Sequence, residues 1–532
     1  MAELEVVSAK GLYEQLSTER EPYLKRARRA AELTVPHLFP ADGTTGATTF
    51  VEPNQSLGAR GIRHLASKLQ ISLFPVNTPF FKYTVDDLAL QNLTQADNQR
   101  GEVEKALSAR ERAVISVMNS AMFRPVSFEV FRQLLLAGNA LLHIPKKGRV
   151  RAFKLSSYVV ARDASGNLLD IVIREQIARA ALPADILAKI NAVRNAASAP
   201  REATIDVYTM IRRTEDGDKF VVTQEIEGVQ IDGEYAGEYP ADKLPWLPLR
   251  FTYIEGEDYG RGFVDEYIGD LNNLDKLTEA LRDGTIQGAK VVWLVRSNSV
   301  TRPHLLSKAK NGDFVTGNEG DVVPLRLEKQ ADFAVAERLI DKITERLSYA
   351  FLLHSAVQRQ GERVTAEEIR YVAGELDQGM GGVYSLLSEE FQIPSAHLFS
   401  IRMEHERKVP PLPKEITSTS IVAGIDALGR GNDLQNLDAL IAGAAQMGGA
   451  EVIGRYVNLG EYFKRRGAAL GVDMGGLIRS DEEIAKADQQ AQLMALAQNL
   501  GPQAISAMGQ MGKQQMVNDA QAEQAAQAGE EA

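Results

Sequence analysis

The sequence has no cysteine and only seven histidines among its 532 residues. Without cysteine the chain forms no disulfide, no thiolate metal site and no cysteine nucleophile, and such a composition fits a protein that folds in the reducing cytosol. No histidine has another three or four positions along the chain, so the two-histidine face of a helical metal site is also missing. We therefore expect no bound metal ion.

Motifs for nucleotide chemistry and hydrolysis are absent as well. The chain contains no GxxxxGK(S/T) P-loop, no HExxH, no EF-hand loop and no GxSxG elbow. Adjacent carboxylates occur at Asp86-Asp87, Glu367-Glu368 and Glu389-Glu390, but neighbours on a helix do not share a face and are typical of solvated surface. We expect no catalytic residue, no cofactor and no enzyme, and a nuclease or packaging ATPase is the least favoured class.

Long apolar runs are also missing. The most apolar stretch, Leu134 to Ile144, is interrupted by Gly138 and Asn139 and is far shorter than the roughly 20 residues that span a bilayer. The first residues, MAELEVVSAKG, lack the basic start and apolar core of a secretory signal. The sequence therefore predicts no membrane partner.

Positive charge is in the minority, and the formal net charge is -11. Tight binding of nucleic acid over a whole surface needs many Lys or Arg contacts to phosphate, so this balance argues against it. An acidic wall with a few basic positions is still compatible with guiding DNA without holding it. Charge alone does not separate such a conduit from an ordinary acidic cytosolic protein.

Helical and β-rich patterns alternate along the chain. The first 140 residues carry apolar side chains at helical spacing, whereas the stretch from Ala140 to about Arg250 has β-rich runs separated by turn signals such as Ser165-Gly166-Asn167. A helical interlude from about Ala181 to Ala197 divides that stretch. We predict a mainly α fold with β-rich subdomains, of the α+β class.

Two helices of matched character follow, with a compact insert between them. The first, from about Phe263 to Asp283, and the second, from about Phe333 to Leu353, each carry an apolar stripe along one face. The stripe of the second helix comprises Ala336, Leu339, Ile340, Ile343, Leu347 and Ala350. The insert, about Lys290 to Gln330, has short apolar runs broken by Pro303 and several glycines. The pattern predicts a helical hairpin with a β-rich module at its tip, which is able to project from a body and meet a partner.

A polar segment, Gln358 to Arg363, comes after the second helix. Thr365 and Glu368 form a capping box for a new helix, so the segment is predicted to be a loop between two helices. Beyond about Ile421 the chain is rich in small residues, and after Ser480 it is rich in Ala, Gln and Met, which is typical of a helix that gives way to a disordered tail.

Several blocks of sequence together resemble a known family. They are GARGIRHLASKL, LSSYVVARDASGN, TIDVYT, YGRGFVDEYIGDL, GDFVTG, LEKQADF and SAVQRQGERVTAEEIRYVAGELDQGMGGVYSLLSEE. In order and spacing, from near Tyr13 to near Asp433, the chain is similar to the head-to-tail connector, or portal, proteins of autographivirus-type short-tailed bacteriophages. The region beyond about Leu440 departs most from the pattern.

The resemblance implies a phage portal fold assembled as a ring of twelve subunits at one capsid vertex. DNA would pass through its channel during packaging and ejection. The implied regions are a wing at 1–262, a first stem helix at 263–289, a clip at 290–330, a second stem helix at 331–355, a tunnel loop at 356–366, a wing helix and return at 367–430, a crown at 431–500 and a flexible C-terminal tail at 501–532.

The resemblance also implies two kinds of site. The tunnel loop, with Gln358, Arg359, Gln360, Glu362 and Arg363, would face double-stranded DNA, although the arginines have an alternative role in capping the helix end or bridging to Glu362 or Glu367. The clip would dock partners through Trp293, Arg296 and Phe314, although both aromatic residues have an alternative place in a core.

The implied partners are virion and packaging proteins. A terminase large subunit would dock on the clip, drive DNA inward and leave, and tail adaptor and nozzle proteins would then take its place. Major capsid and scaffold proteins and internal core proteins would complete the surroundings in the virion, and the chain would be made in the host bacterial cytoplasm. The alternative hypothesis is a tail-adaptor or scaffold protein that assembles without conducting DNA.

Overall fold

A computed structural model describes most of the first 421 residues of the chain. The described ranges are 8–75, 79–85, 98–194, 204–231, 236–289, 292–324, 330–353, 382–409 and 417–421, with a few positions between 438 and 466. The chain divides into two compact units, Met1–Leu428 and Gly429–Ala532.

Helices dominate the described part of the first unit. In chain order they are α1 (Ala9–Glu32), α2 (Leu57–Leu73), α3 (Asn98–Ser120), α4 (Phe123–Ala137), α5 (Ala184–Arg194), α6 (Ile268–Ala289), α7 (Pro303–Leu306), α8 (Gln330–Ala350), α9 (Val383–Leu387) and α10 (Ile393–His405). A short 3-10 turn, Phe263–Tyr267, leads into α6, and a π-helical turn, Ser388–Gln392, joins α9 to α10.

The strands are β1 (Phe81–Val85), β2 (Asn139–His143), β3 (Arg151–Phe153), β4 (Tyr158–Arg162), β5 (Leu168–Ala178), β6 (Thr204–Arg213), β7 (Lys219–Ile226), β8 (Val229–Ile231), β9 (Gly237–Pro240), β10 (Trp246–Arg250), β11 (Trp293–Val295), β12 (Val322–Pro324) and β13 (Thr417–Ile421). The largest sheet is antiparallel in the order β4-β5-β6-β7, and β8 and β9 both pair with β7. Smaller sheets are β10-β2-β3, β1-β13 and β11-β12.

The main core is built around packed phenylalanine rings. Phe74, at the end of α2, makes edge contacts at 4.9 Å between ring centroids with both Phe80 and Phe123. Phe391, from the π-helical turn, is fully buried and lies 4.9 Å from Phe74. Offset and edge-to-face ring pairs of this kind add to the stabilisation from apolar burial. The cluster therefore joins α2, α4 and the segment before α10 in one core.

Helix α1 begins on the large sheet, where a buried carboxylate caps it. Glu225 of β7 accepts a hydrogen bond from the backbone N–H of Ala9 at 2.6 Å and from the Ser8 hydroxyl at 2.9 Å. A negative charge at a helix N-terminus offsets the helix dipole and satisfies unpaired N–H groups. Further along α1, Tyr13 packs edge-on against Tyr208 of β6. These contacts fix α1 across the sheet.

A close backbone crossing positions the chain that enters α6. Gly138, just after α4, has φ +71°, and a Cβ there would lie 2.3 Å from the backbone carbon of Arg261, so only glycine fits. The Asn139 amide donates to the Gly260 carbonyl and accepts from its N–H, both at 2.8 Å. The segment before α6 is thereby tied to the end of α4.

The predicted mixture of a mainly helical fold with β-rich subdomains is confirmed. Strands β2 to β10 fall between Asn139 and Arg250, and α5 lies within the predicted helical interlude. No described helix combines the length and apolar character that crossing a membrane requires.

In the second unit, the Tyr462 hydroxyl donates a hydrogen bond to Asp438 at 2.6 Å. The proposed wing, crown and tail boundaries stay predictions.

Candidate functional site

The candidate site is the helix pair α6 and α8 with the insert between them. Arg346, near the end of α8, pairs with Asp270, near the start of α6, at 2.8 Å. Gly284, near the end of α6, lies against Phe333, near the start of α8. The helices therefore run in opposite directions, and α6 alone, with 22 residues, is about 33 Å long.

Burial along the pair is concentrated at one end. Leu271 and Leu274 of α6 and Ile343 and Leu347 of α8 are each at most 3% exposed, and all four belong to the main core. Near the insert, Ile286 of α6 is 54% exposed and Val335 of α8 is 65% exposed. One end of the pair is therefore rooted in the body, and the end that carries the insert is open to solvent.

The root of the pair is an aromatic and ionic junction. Phe351, just after α8, is fully buried 5.7 Å from Phe263, and a Cβ on Gly61 of α2 would lie only 2.4 Å from the Phe351 ring. Burial raises the pKa of the Asp265 carboxyl, while the charge of Arg26, 3.9 Å away, opposes that rise. The start of α6 is thus fixed by both packing and charge.

A loop from the N-terminal region runs along α6 and holds it from outside. The backbone N–H of Asn54 donates to Asp275 at 2.6 Å, and the Asn54 side-chain oxygen accepts from Arg282 at 2.5 Å. One turn further toward the body, Arg29 of α1 donates to Asn272 at 2.6 Å. Three points along α6 are therefore tied by polar contacts to elements that precede it by more than 200 residues.

Helix α8 also carries three large apolar side chains that are open to solvent. Val335, Leu339 and Tyr349 are 65%, 45% and 69% exposed. At 100° per residue, the three positions fall within an arc of about 80° on one side of the helix. The exposed Lys342 and Arg346 lie in the same arc, between Leu339 and Tyr349 along the chain. The sequence pattern had placed Leu339 on the packed stripe, but the structure places it on this open face. We call these three residues the outer face of α8.

Polar contacts hold the insert together. Strands β11 and β12 pair antiparallel, and α7 lies in the connection between them. Asp321 is buried and accepts a hydrogen bond from the buried Thr301 hydroxyl at 2.9 Å and one from the Asn318 N–H at 3.3 Å. Gly317 lies against Thr301 so closely that a Cβ there would be 2.3 Å from its hydroxyl oxygen. These hydrogen bonds to Asp321, rather than a hydrophobic core, hold the insert together.

Apolar side chains of the insert point mostly to solvent. Within residues 292–324, the described part of the insert, no apolar side chain is buried. The exposed large ones are Val292, Trp293, Leu294, Val300, Leu305, Leu306, Phe314 and Val323. An isolated two-stranded hairpin is marginal in water, and so many exposed apolar groups mark an interaction surface.

The three residues predicted to dock partners lie on this surface. Trp293 is 59% exposed, Phe314 is completely exposed, and Arg296 is exposed beside β11. The alternative that both aromatic residues lie in a core is wrong for this chain. Their role in docking stays a prediction, because exposure is a requirement for docking and not a demonstration of it.

The tunnel-loop residues Gln358, Arg359, Gln360, Glu362 and Arg363 lie outside the described residues. Among the residues that the structure does describe, no group of three or more His, Cys, Asp or Glu side chains could hold a metal ion.

The outer face of α8 and the buried hydrogen bonds of Asp321 were not predicted from the sequence. For the outer face, Val335 and Leu339 four residues apart were the available signal.

Comparisons with known proteins point to a single family. Residues 7–478 match the family model described as bacteriophage head to tail connecting protein. The portal protein of Escherichia phage T7 is 40% identical over 511 residues, with 94% of each chain covered. The portal proteins of Enterobacteria phage SP6 and Pseudomonas phage phiKMV are each 31% identical, with 80% and 89% of this chain and 81% and 92% of theirs covered.

Gly284 provides a test of how closely the two helices pack. In Gly284→Ala, the new Cβ would lie 2.7 Å from the Phe333 ring, so we expect the free energy of unfolding to fall by about 1–3 kcal/mol despite the better helix propensity of alanine. Chemical denaturation followed by circular dichroism measures it.

Two matched variants control that measurement. Gly269→Ala, in the same helix with open space around it, should stabilise the protein slightly, by about 0.5–1 kcal/mol. In a Phe333→Ala background, Gly284→Ala should cost almost nothing, because the ring that it meets is gone. An equal loss with and without the Phe333 ring would show that the helices are not in contact at this point.

Proposed function

The chain belongs to the bacteriophage head-to-tail connecting protein family, and from this premise we propose that it is the subunit of a phage portal. The ring would sit at the unique capsid vertex of the virion and conduct DNA during packaging and ejection. The observation that carries the proposal is the 40% identity to a portal protein over 94% of the chain. The open helix pair with its apolar insert supports it independently.

The regions of the portal fit the described elements as follows. The 3-10 turn Phe263–Tyr267 with α6, and α8, would be the two stem helices, and residues 292–324 would be the described part of the clip. The body, which contains the large sheet and the phenylalanine core, would be the wing. The crown and the flexible tail would come from the chain after about residue 431.

Ring closure would use the outer face of α8. Val335, Leu339 and Tyr349 are exposed apolar side chains on a different side of α8 from the buried Ile343 and Leu347. In a ring of identical subunits, a face of this kind is covered by the next copy, which removes its apolar surface from water. We propose a homododecamer, in which each outer face packs on a neighbouring subunit.

Double-stranded DNA would pass through the channel without being held tightly. The net charge of -11 limits binding to phosphate over most surfaces. In a ring, each basic position of the tunnel loop is repeated once per subunit, so Arg359 and Arg363 would form two basic rings close to the duplex. We propose that these rings contact phosphates during packaging and help retain the packaged genome.

The clip would be the docking platform for successive partners. We propose that the terminase large subunit docks there during packaging and that tail adaptor and nozzle proteins replace it, with Trp293, Arg296 and Phe314 in contact. Exposed aromatic and arginine side chains often dominate binding energy at interfaces. Major capsid, scaffold and internal core proteins would contact the body.

The relatives are portal proteins, which are structural components, and we propose that this chain likewise catalyses no reaction. The energy for DNA movement would come from the terminase. The alternative, a tail adaptor or scaffold that does not conduct DNA, has less support, because the matched relatives are portal proteins over most of their length.

The variant Leu339→Asp tests the proposal that the outer face of α8 is a contact between subunits of the ring. A carboxylate at this position would be buried in an apolar contact between subunits, which costs several kcal/mol unless it finds a partner. We expect rings to be replaced by monomers in mass photometry, while the circular dichroism spectrum stays unchanged. Leu169→Asp, the same change at a leucine of β5 that is 37% exposed, should leave the rings intact. Normal rings in Leu339→Asp would mean that the outer face is not a subunit contact.

Substitution of the tunnel-loop arginines tests the proposal that the ring conducts DNA. Phage particles carrying Arg359→Ala and Arg363→Ala should assemble normally but package or retain less full-length genome, because two rings of positive charge near the duplex are lost. The genome length in purified particles, measured by pulsed-field electrophoresis, gives the answer. If the doubly substituted particles hold the full genome as wild type does, the proposed contact of these arginines with DNA is incorrect.

A further inference from the structure

Residues 43–53 form an exposed loop between α1 and α2, without helix or strand. Just before the loop, the Asp42 carboxylate pairs with Arg28 of α1 at 2.5 Å. Just after it, the Asn54 N–H donates to Asp275 of α6 at 2.6 Å. The loop is therefore fixed at both ends and open to solvent between them.

The loop carries an apolar and an acidic side chain at adjacent positions. Val51 is 89% exposed, and Glu52 is also exposed. Among the described residues, Glu52 takes part in no ion pair. A single exposed valine is ordinary on a protein surface, so its meaning depends on where the loop lies relative to the helix pair.

The end of the loop is attached to the side of α6 that faces away from α8. Asn54 contacts α6 at Asp275 and Arg282. The contacts of α6 with α8 use Asp270 and Gly284 instead. At 100° per residue, the two pairs of positions lie about 120–180° apart around α6. The loop is therefore outside the helix pair, on the flank formed by α6.

The loop and the outer face of α8 lie at the same level along the helix pair. The ion pair and the glycine contact between the two helices set their antiparallel register, in which Leu339 is level with Thr278. Asn54 contacts α6 on either side of that level, at Asp275 and Arg282. One level of the pair thus has the loop outside α6 and an exposed apolar residue on α8.

A closed ring repeats one contact between two different surfaces of the chain, because the same rotation relates each subunit to the next. The loop and the outer face of α8 are two such surfaces, and their chemistry is complementary. Val51 offers an apolar group to Leu339. Glu52 offers a negative charge to Lys342, which is exposed in the same arc of α8 as Leu339.

We propose that the 43–53 loop of each subunit packs on the outer face of α8 in the next copy of the chain. Val51 covers Leu339, and Glu52 pairs with Lys342. The proposal rests on the proposed ring and identifies the surface that each outer face meets. Burial of the two apolar side chains removes them from water, and the ion pair at the edge favours one register of the two surfaces.

Such a contact couples adjacent subunits at the level where each helix pair is held from outside. Asn54 binds α6 of its own chain, and Val51, close to it in the loop, binds α8 of the next chain. One loop therefore holds two helix pairs at a fixed spacing around the ring.

The test uses disulfide crosslinking of the full-length protein, which is simple to interpret because the natural chain contains no cysteine. Val51→Cys/Leu339→Cys is purified in reductant, checked for rings by mass photometry, oxidised with copper phenanthroline and run on a denaturing gel. A disulfide forms only where the two Cα atoms come within about 7 Å.

Two kinds of control accompany this variant. Each single-cysteine variant can link at most two chains. Val51→Cys/Leu169→Cys places the second cysteine at a leucine of β5 that is 37% exposed. A second pair, Glu52→Cys/Lys342→Cys joined by a short bismaleimide, tests the same contact at exposed positions if the first pair disturbs assembly.

We expect Val51→Cys/Leu339→Cys to give a ladder of linked chains that extends to the whole ring and collapses to one band in reductant. The single-cysteine variants and Val51→Cys/Leu169→Cys should give no ladder. Glu52→Cys/Lys342→Cys should give a ladder with the bismaleimide.

Three outcomes would overturn the inference. Rings of both double variants without a ladder would show that the loop does not meet the next copy at α8, while the portal function stands. A shifted single band without a ladder would mean that the loop packs on α8 of its own chain. An equal ladder in the Leu169 control would show that the crosslinks come from random collisions. By contrast, wild-type protein that forms no rings would contradict the proposed function itself.

Discussion

The burial of one end of the helix pair α6 and α8 in the body of the protein is the arrangement on which the rest of the structure depends. Leu271, Leu274, Ile343 and Leu347 are removed from water there, and the pair is buried at this end only. Because the other end is open to solvent, its apolar side chains and the insert remain exposed. A helix pair buried along its whole length would leave no surface for a neighbouring copy or for a partner.

The contacts of α6 explain how a slender projection keeps its direction. From the N-terminal region, Asn54 and Arg29 contact α6, and Arg26 contacts the turn just before it. The close approach at Gly138 and the hydrogen bonds of Asn139 fix the chain that leads into this turn. Individually, exposed polar contacts contribute little to stability. Spread along the helix, they restrict its orientation. In a ring, that restriction would keep equivalent surfaces of adjacent subunits in register.

Much of the fold could be predicted from the sequence, and the physical reasons are local. Periodic apolar residues indicated the two long helices, and clusters such as Ser165-Gly166-Asn167 marked the turns of the β-rich region. What could not be predicted depends on contacts between distant residues. Burial of Asp321 against Thr301 and the place of Leu339 on the outer face of α8 follow from packing, which a single periodic pattern does not encode. The exposure of Trp293 and Phe314 could not be predicted either, because an apolar run in an insert has the same sequence pattern whether it is buried or exposed. The tunnel loop at 358–363, assigned by resemblance, lies outside the described residues.

The central claim is that this chain closes into a ring with an open channel. Electron microscopy of the purified full-length protein, with mass measured on the same sample, tests it most directly. We expect rings of twelve subunits, with the helix pairs around an axial channel wide enough for a B-form duplex. A monomer or a small closed oligomer that is stable across protein and salt concentration, or a ring without a through-channel, would contradict it.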